Sequence, residues 1–420
     1  MDGRVWAGRN IAGWHEENHP PPNGASRFDA IFDVAGRIFD AGFARALTPR
    51  LLSFIRSTWT THRRSRSHRA GASGNENRKA TPMHDMYLPT ETPLAGLPAP
   101  QIMRAPHWTT GSFGPQPGTI DASLDEAADR LESLENIPAT WAALVTGTER
   151  VRQATAADAA WHQRLRGHRI AALIHEEPAT AWAFRRPRGY SGDAHLIDFL
   201  YEHDAAQDEL RAATPRGRAL NAVILSCATP IAVQERRRLL ARLLDATAER
   251  VNRPEALALA CGHLREAEYA TALDQFDRLV ALDQDRDSIA ELRRSYGDLA
   301  ALMPVEASIG RMIVRPQVHG RFDLIYAAGL YDYLDDTTAT RLTQGMFTAL
   351  KPGGRLLFAN FCTGLADYGF MDAFMDWRLI QRDEPEMQRL LDALPSADIA
   401  RAMLFRGLNR AVIYALVQKR

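Results

Sequence analysis

Five short apolar runs follow Pro254: EALALACG at 255–262, DRLVALD at 277–283, LMPVEASI at 302–309, FDLIYAAG at 322–329 and GRLLFANF at 354–361. Helix-like stretches separate the first from the second, the second from the third and the fourth from the fifth. A strand that returns through a helix lies parallel to its predecessor, with a right-handed crossover. Two further strand-like runs, ARAMLFRG at 400–407 and AVIYALVQ at 411–418, are joined by only a few residues that include Gly407 and Asn409. So short a link requires an antiparallel pair. The expected fold class is α/β: a doubly wound, seven-stranded, mostly parallel sheet with an antiparallel C-terminal strand pair.

The rest of the chain divides in two. Residues 119–252 read as an all-helical domain: Leu124, Ala127, Ala128, Leu131 and Leu134 recur at helical spacing, as do Trp161, Leu165, His168, Ala172 and Leu173, and then Leu196, Phe199 and Leu200. Pro178, Pro187, Pro215 and Pro230 punctuate it, and helices ordinarily end just before such prolines. The tract QERRRLLARLLDATAERV at 234–251 reads as a helix with a Leu face and a solvated Arg/Glu face, its arginines needing no further role. Residues 1–118 read as a basic, Pro-rich and largely disordered extension, with one amphipathic helical piece expected at 28–47. Asp29, Asp33 and Asp40 within that piece argue against a targeting peptide. Met83 is an alternative start.

Zero net charge hides an asymmetry: residues 1–82 carry 13 Lys/Arg against 7 Asp/Glu. No basic stripe interleaved with aromatics follows, so nucleic acid is not an expected partner. No apolar run reaches the ~18 residues of a membrane span. Cys227, Cys261 and Cys362 form no C-x-x-C pattern, which points to neither a disulfide framework nor a metal site and suits a reducing cytoplasm.

Ligands of doubly wound sheets bind outside the carboxyl ends of the strands. The first strand ends in Ala260, Cys261, Gly262 and His263, a small-residue turn that lets a ligand approach the backbone. The second ends in Asp283, an acceptor suited to a pair of ribose hydroxyls. CGHLRE has one glycine and an acid, Glu266, where a dinucleotide site needs G-x-G-x-x-G and a helix N-terminus free for pyrophosphate. An NAD-dependent oxidoreductase is thereby disfavoured. S-adenosylmethionine, a cation without phosphate, tolerates that acid.

LALACG, LVALDQD and ALKPGGRLLFANF resemble the first motif, the ribose-binding acidic strand and the fifth strand of class I S-adenosylmethionine-dependent methyltransferases. The strings RPRGYSGD at 186–193, LALACGHLRE at 257–266, FDLIYAAGLYDYLDD at 322–336 and FMDWRLIQRDEPEM at 374–387 resemble the bacterial extracellular-factor 3-hydroxypalmitic acid methyl ester biosynthesis methyltransferases. The resemblance covers roughly 120–420 and implies a Rossmann-like methyltransferase domain at 253–420 behind a helical substrate or lid domain at 119–252. It implies S-adenosyl-L-methionine as cofactor, with contacts at Ala260, Cys261, Gly262, Asp283, Gln284, Ser308, Gly329 and Leu330. The superfamily's further glycines after the first strand are missing.

For the acceptor, Arg188, Tyr331, Tyr333 and Trp377 are the candidate substrate contacts, and Tyr190, Asp332 and Asp376 the candidate catalytic residues. Each has a plainer reading: Cys261 as a turn residue, Asp193 as a helix cap, the tyrosines as core, Asp376 and Trp377 as helix-stabilising residues. The expected activity is methyl transfer to a small-molecule oxygen acceptor, a hydrophobic or (3-hydroxy) fatty acid carboxylate being the family-suggested one. A carboxylate acceptor needs no base, whereas a hydroxyl acceptor needs one. No N-P-P-Y string suggests methylation of an exocyclic nitrogen. The alternative is a non-catalytic or regulatory protein that binds the cofactor without turnover.

Overall fold

The computed structural model describes residues 117–155 and 160–420. The expected extension, including the helix at 28–47, lies outside the described residues. Among the described residues, nine α-helices lead to the first strand: α1 Pro117–Glu132, α2 Ile137–Ala154, α3 Ala160–Gly167, α4 Ile170–Ile174, α5 Pro178–Arg185, α6 Ala194–Leu200, α7 Gln207–Ala212, α8 Pro215–Ile224 and α9 Ala228–Arg250. Their limits follow the sequence signals. Pro178 and Pro215 sit in first turns, where the missing N–H is not needed, and the side chains of Glu177, Asp193 and Thr214 cap the helices they precede.

The sheet comprises β1 Glu255–Leu259, β2 Arg278–Asp283, β3 Leu302–Glu306, β4 Phe322–Ala327, β5 Leu350–Phe361, β6 Ile399–Arg406 and β7 Val412–Lys419. Its order is β3-β2-β1-β4-β5-β7-β6. The first five strands run parallel, and β7 pairs antiparallel with both β5 and β6. The order reverses at β1, which lies between β2 and β4. The remaining helices are α10 Arg286–Ser295, α11 Gly310–Val314, α12 Asp336–Thr348, α13 Tyr368–Phe374 and α14 Glu384–Asp392.

Both faces of the central strands β1, β2 and β4 are buried, so these strands read as continuous apolar runs. Ala256, Ala258, Leu279, Ala281, Leu324 and Tyr326 share a core with the N-terminal helices, while Leu257, Leu259, Val280, Leu282 and Ile325 face the core under α11, α12 and α14. The helical segment is thus continuous with one sheet face. None of the described helices is long and apolar enough to cross a membrane.

Two expectations need correction. The link from β1 to β2 contains no α-helix, only the 3-10 turns Arg265–Glu268 and Leu273–Gln275. Asp245 of α9 accepts from the backbone N–H groups of Thr271 and Ala272 at 2.7 and 3.0 Å. Those donors are satisfied from outside, and α9 covers the sheet where a crossover helix would lie. The arginines of α9 are not all solvated either: Arg236 and Arg237 are buried, at 6% and 5% exposure. The Arg237 guanidinium lies 4.3 and 4.5 Å from the ring centres of Tyr201 and Tyr269, so aromatic faces replace water around it.

Candidate active site at the carboxyl edge of the sheet

After β1 the backbone takes positive φ at Ala260 (50°), Gly262 (53°) and Leu264 (51°), conformations disfavoured for the two residues that carry a Cβ. This turn brings the Gly262 N–H to Asp283 Oδ2 at 2.8 Å, while Asp283 Oδ1 accepts from Asp285 N at 2.9 Å. The carboxylate is held across the ends of β1 and β2 with lone pairs left for a ligand. Burial raises its pKa from the usual carboxylate value, although these N–H groups oppose the shift.

The turn opens on a cavity of about 380 Å³. Of the residues singled out from sequence, Tyr190, Ala260, Cys261, Gly262, Asp283 and Gln284 line it, and so do Gly329, Leu330, Asp332, Tyr333 and Trp377. Ser308, Arg188, Tyr331 and Asp376 do not. Ser308 accepts from Gly310 N at the start of α11. Tyr331 stacks on Phe358 with ring centres 4.5 Å apart, its hydroxyl bonded to Thr343. Asp376 is held by Arg166, Arg186 and Arg378.

Tyr333 follows β4 and is 41% exposed, its ring facing the cavity rather than the core. Trp377 Nε1 donates to its hydroxyl at 2.7 Å. An indole N–H can only donate, so Tyr333 accepts from it and has its own O–H proton to offer elsewhere. Asp332, 2% exposed, accepts from Phe361 N at 2.7 Å. Burial pushes its carboxyl up to about 6, against that N–H and the charges of Arg236 and Arg382.

The segment 186–193 roofs this cavity and is fastened on two sides. Arg188 reaches Asp285 Oδ2 at 2.9 Å and His263 Nε2 at 3.2 Å, while Ser191 Oγ donates to the Asp376 carbonyl at 2.7 Å. Gly192 lies so close to the tyrosine–tryptophan pair that an added Cβ would stand 1.9 Å from Tyr333 Oη and 2.6 Å from Trp377 Nε1. Gly192→Ala is therefore expected to break the Tyr333–Trp377 hydrogen bond and cost about 1–3 kcal/mol through overpacking. Urea unfolding together with tryptophan fluorescence checks this; an unchanged emission spectrum would contradict it. Asp193 caps α6 and also accepts from Trp182 Nε1 at 2.8 Å, which fixes the end of the segment.

Sequence reading missed a buried ionic network behind the turn. Asp198 of α6 accepts from His263 Nδ1 at 2.7 Å and from Arg265 Nε and Nη2, both at 2.9 Å. Arg265 also reaches Glu291 of α10 at 2.9 Å. Burial works against the Asp198 charge, yet the Arg265 and His263 hydrogen bonds hold the carboxyl well below its usual range. Glu266, Tyr326 and Arg236 complete the polar wall, with Tyr326 donating to Glu266 Oε1 at 2.8 Å. Partners 26 to 67 positions apart leave no local spacing by which to find them. Among the described residues, no group of three or more His, Cys, Asp or Glu could hold a metal ion.

No family model matches the chain. No curated protein matches it either. Among solved structures, one from Bordetella parapertussis, described as a possible exported protein, is 16% identical, covers 72% of this chain and 97% of its own, and has a TM-score of 0.46. The N-methyltransferase NodS from Bradyrhizobium japonicum, in complex with S-adenosyl-L-homocysteine, is 18% identical over 44% of this chain and 86% of its own, with a TM-score of 0.34. Magnesium protoporphyrin IX methyltransferase from Synechocystis, with bound S-adenosylmethionine, is 11% identical over 46% of this chain and 84% of its own, also at 0.34.

Proposed function

We propose that this chain is an S-adenosylmethionine-dependent methyltransferase acting on an oxygen of a small acceptor, with a hydrophobic carboxylic acid as the acceptor class. The observation that carries the reading is the Asp283 carboxylate, held by Gly262 N–H at the mouth of a roofed cavity where the strand order reverses. A ligand with a vicinal diol finds a charged acceptor there. A pyrophosphate finds no glycine-rich helix N-terminus, because a 3-10 turn carrying the buried Glu266 follows Gly262. The donor set therefore fits an adenosyl cation better than a dinucleotide.

S-adenosylmethionine, when bound, supplies a methyl group activated by a sulfonium. What the chain contributes is position and exclusion of water. Asp283 holds the ribose hydroxyls, Ala260, Cys261 and Gly262 support the neighbouring backbone contact, and Gln284 and Leu330 flank the adenosyl group. Tyr190 closes the roof. Tyr333, fixed as a donor by Trp377, binds one acceptor oxygen and turns the other toward the methyl group. A carboxylate arrives already deprotonated. For a hydroxyl acceptor Asp332 takes the proton, and its pKa of about 6 leaves it mostly ionised at neutral pH.

Two outcomes follow for Asp332→Asn. With a hydroxyl acceptor, kcat is expected to fall about 100-fold or more, and the wild-type rate should decline as pH drops through about 6 as the base protonates. With a carboxylate acceptor, the same variant should lose far less. Incubating the purified protein with methyl-labelled cofactor, 3-hydroxy fatty acids and a cell extract tests the acceptor class. Label in an alkali-labile methyl ester supports the proposal. Binding of S-adenosylmethionine with no label transferred to any fraction would instead favour a non-catalytic binder.

A further inference from the structure

Two arginines line the cavity, and they differ in one respect. Arg265 is engaged by Asp198, Glu268 and Glu291. Arg236 forms no ion pair with any described carboxylate; Nη1 donates to the Ala328 carbonyl just past β4, and the guanidinium carbon lies 6.0 Å from the Phe361 ring centre. A guanidinium with 6% exposure and no paired carboxylate is an expensive feature for a fold to keep. It has five N–H groups to place, and the Ala328 carbonyl and the Tyr201 hydroxyl do not use them all. The nearby acids feel its charge without pairing with it: Glu266 accepts from Tyr326, and Asp332 from Phe361 N.

Its position also bears on what occupies it. Asp283 ends β2, Gly262 follows β1 and Ala328 follows β4, three neighbouring strands in the order β2-β1-β4. At about 4.8 Å per strand, Ala328 lies about 10 Å across the sheet edge from the ribose acceptor. That is roughly the reach of an amino-acid chain attached to the ribose 5′ carbon. Gly329 sits beside the guanidinium, where an added Cβ would rest against Nη2 at an ordinary contact distance of 3.5 Å.

We infer that Arg236, a residue of the helical segment, is the counter-ion for the α-carboxylate of the bound cofactor's methionine moiety. The inference rests on the cofactor reading above and adds to it that α9 completes the cofactor site from outside the sheet domain. It also separates two carboxylates, because the acceptor's would then be handled by Tyr333 and not by Arg236.

The test is calorimetry on the full chain with three ligands: S-adenosylmethionine, its decarboxylated analogue and 5′-methylthioadenosine. Wild-type protein should bind S-adenosylmethionine about 10- to 100-fold more tightly than the decarboxylated analogue, the worth of one charge-assisted contact. Arg236→Met should abolish that difference while binding 5′-methylthioadenosine as before, and Arg236→Lys should restore part of it. Should Arg236→Met fail to fold, the wild-type and Arg236→Lys comparisons still decide. Equal discrimination in wild type and either variant would overturn the inference, as would a wild type that does not discriminate. If none of the three ligands binds the wild type, the cofactor reading itself fails, and this inference with it.

Discussion

Asp283→Ala is expected to weaken S-adenosylmethionine binding by at least about 100-fold while the protein stays folded. The estimate follows from two charge-assisted hydrogen bonds to ribose hydroxyls, at about 1.5–3 kcal/mol each. The variant also loses an internal support, since Gly262 N and Asp285 N both donate to this carboxylate. The turn after β1 therefore loosens when the acid is removed. Asp283→Asn separates the two effects: the amide oxygen still accepts from one of the two N–H groups but brings no charge, so its affinity should fall between wild type and Asp283→Ala. Isothermal titration of the three proteins measures this. Equal affinity in all three, with unchanged thermal melts, would remove Asp283 from the site.

The second large effect concerns stability. Asp198→Ala is expected to cost about 3–5 kcal/mol, because it leaves Arg265 and His263 buried beside a missing charge. Asp198 is fully buried and ties α6 to the turn after β1, so cofactor binding should weaken as well. Its folded pKa lies below the unfolded value of 3.8, so the stability it contributes is present above that pH and is lost as pH falls through the depressed folded value. The difference in unfolding free energy between wild type and Asp198→Ala should accordingly be flat from pH 8 to 5 and shrink in acid. A variant that unfolds within about 1 kcal/mol of wild type would show that the network is ornamental.

Much of this molecule is legible in its sequence, for reasons that differ by element. The sheet reads well because both faces of its central strands are buried, so β1, β2 and β4 stand out as unbroken apolar runs, and the short link between β6 and β7 admits one geometry. Gly262, Asp283 and Tyr333 could be found because they sit at the ends of strands, where α/β folds bind ligands. Tyr331 and Tyr333 could not be told apart. They lie in one 3-10 turn, where side chains two positions apart point about 120° from each other, so one enters the core and the other the cavity. The same limit separates Trp377 from Asp376: the first reaches Tyr333, the second collects three arginines.

Long-range electrostatics was the least legible. In QERRRLLARLL nothing marks Arg236 and Arg237 as buried and Arg238 as exposed, because the face a helix buries is decided by what packs on it. The β1–β2 crossover was misread for a related reason. LREAEYATAL has helical composition, but Arg265 turns inward to Asp198 and Asp245 takes the backbone donors of Thr271 and Ala272, both from elements earlier in the chain.

The claim on which the rest depends is that the cavity beside Asp283 holds an adenosyl cation and not a dinucleotide. Side-by-side titration of the full chain with S-adenosylmethionine and NAD tests it most directly. The account predicts one site per chain for S-adenosylmethionine with a dissociation constant roughly micromolar, about −8 kcal/mol, and no measurable heat with NAD. Saturable binding of NAD that S-adenosylmethionine fails to displace would contradict it.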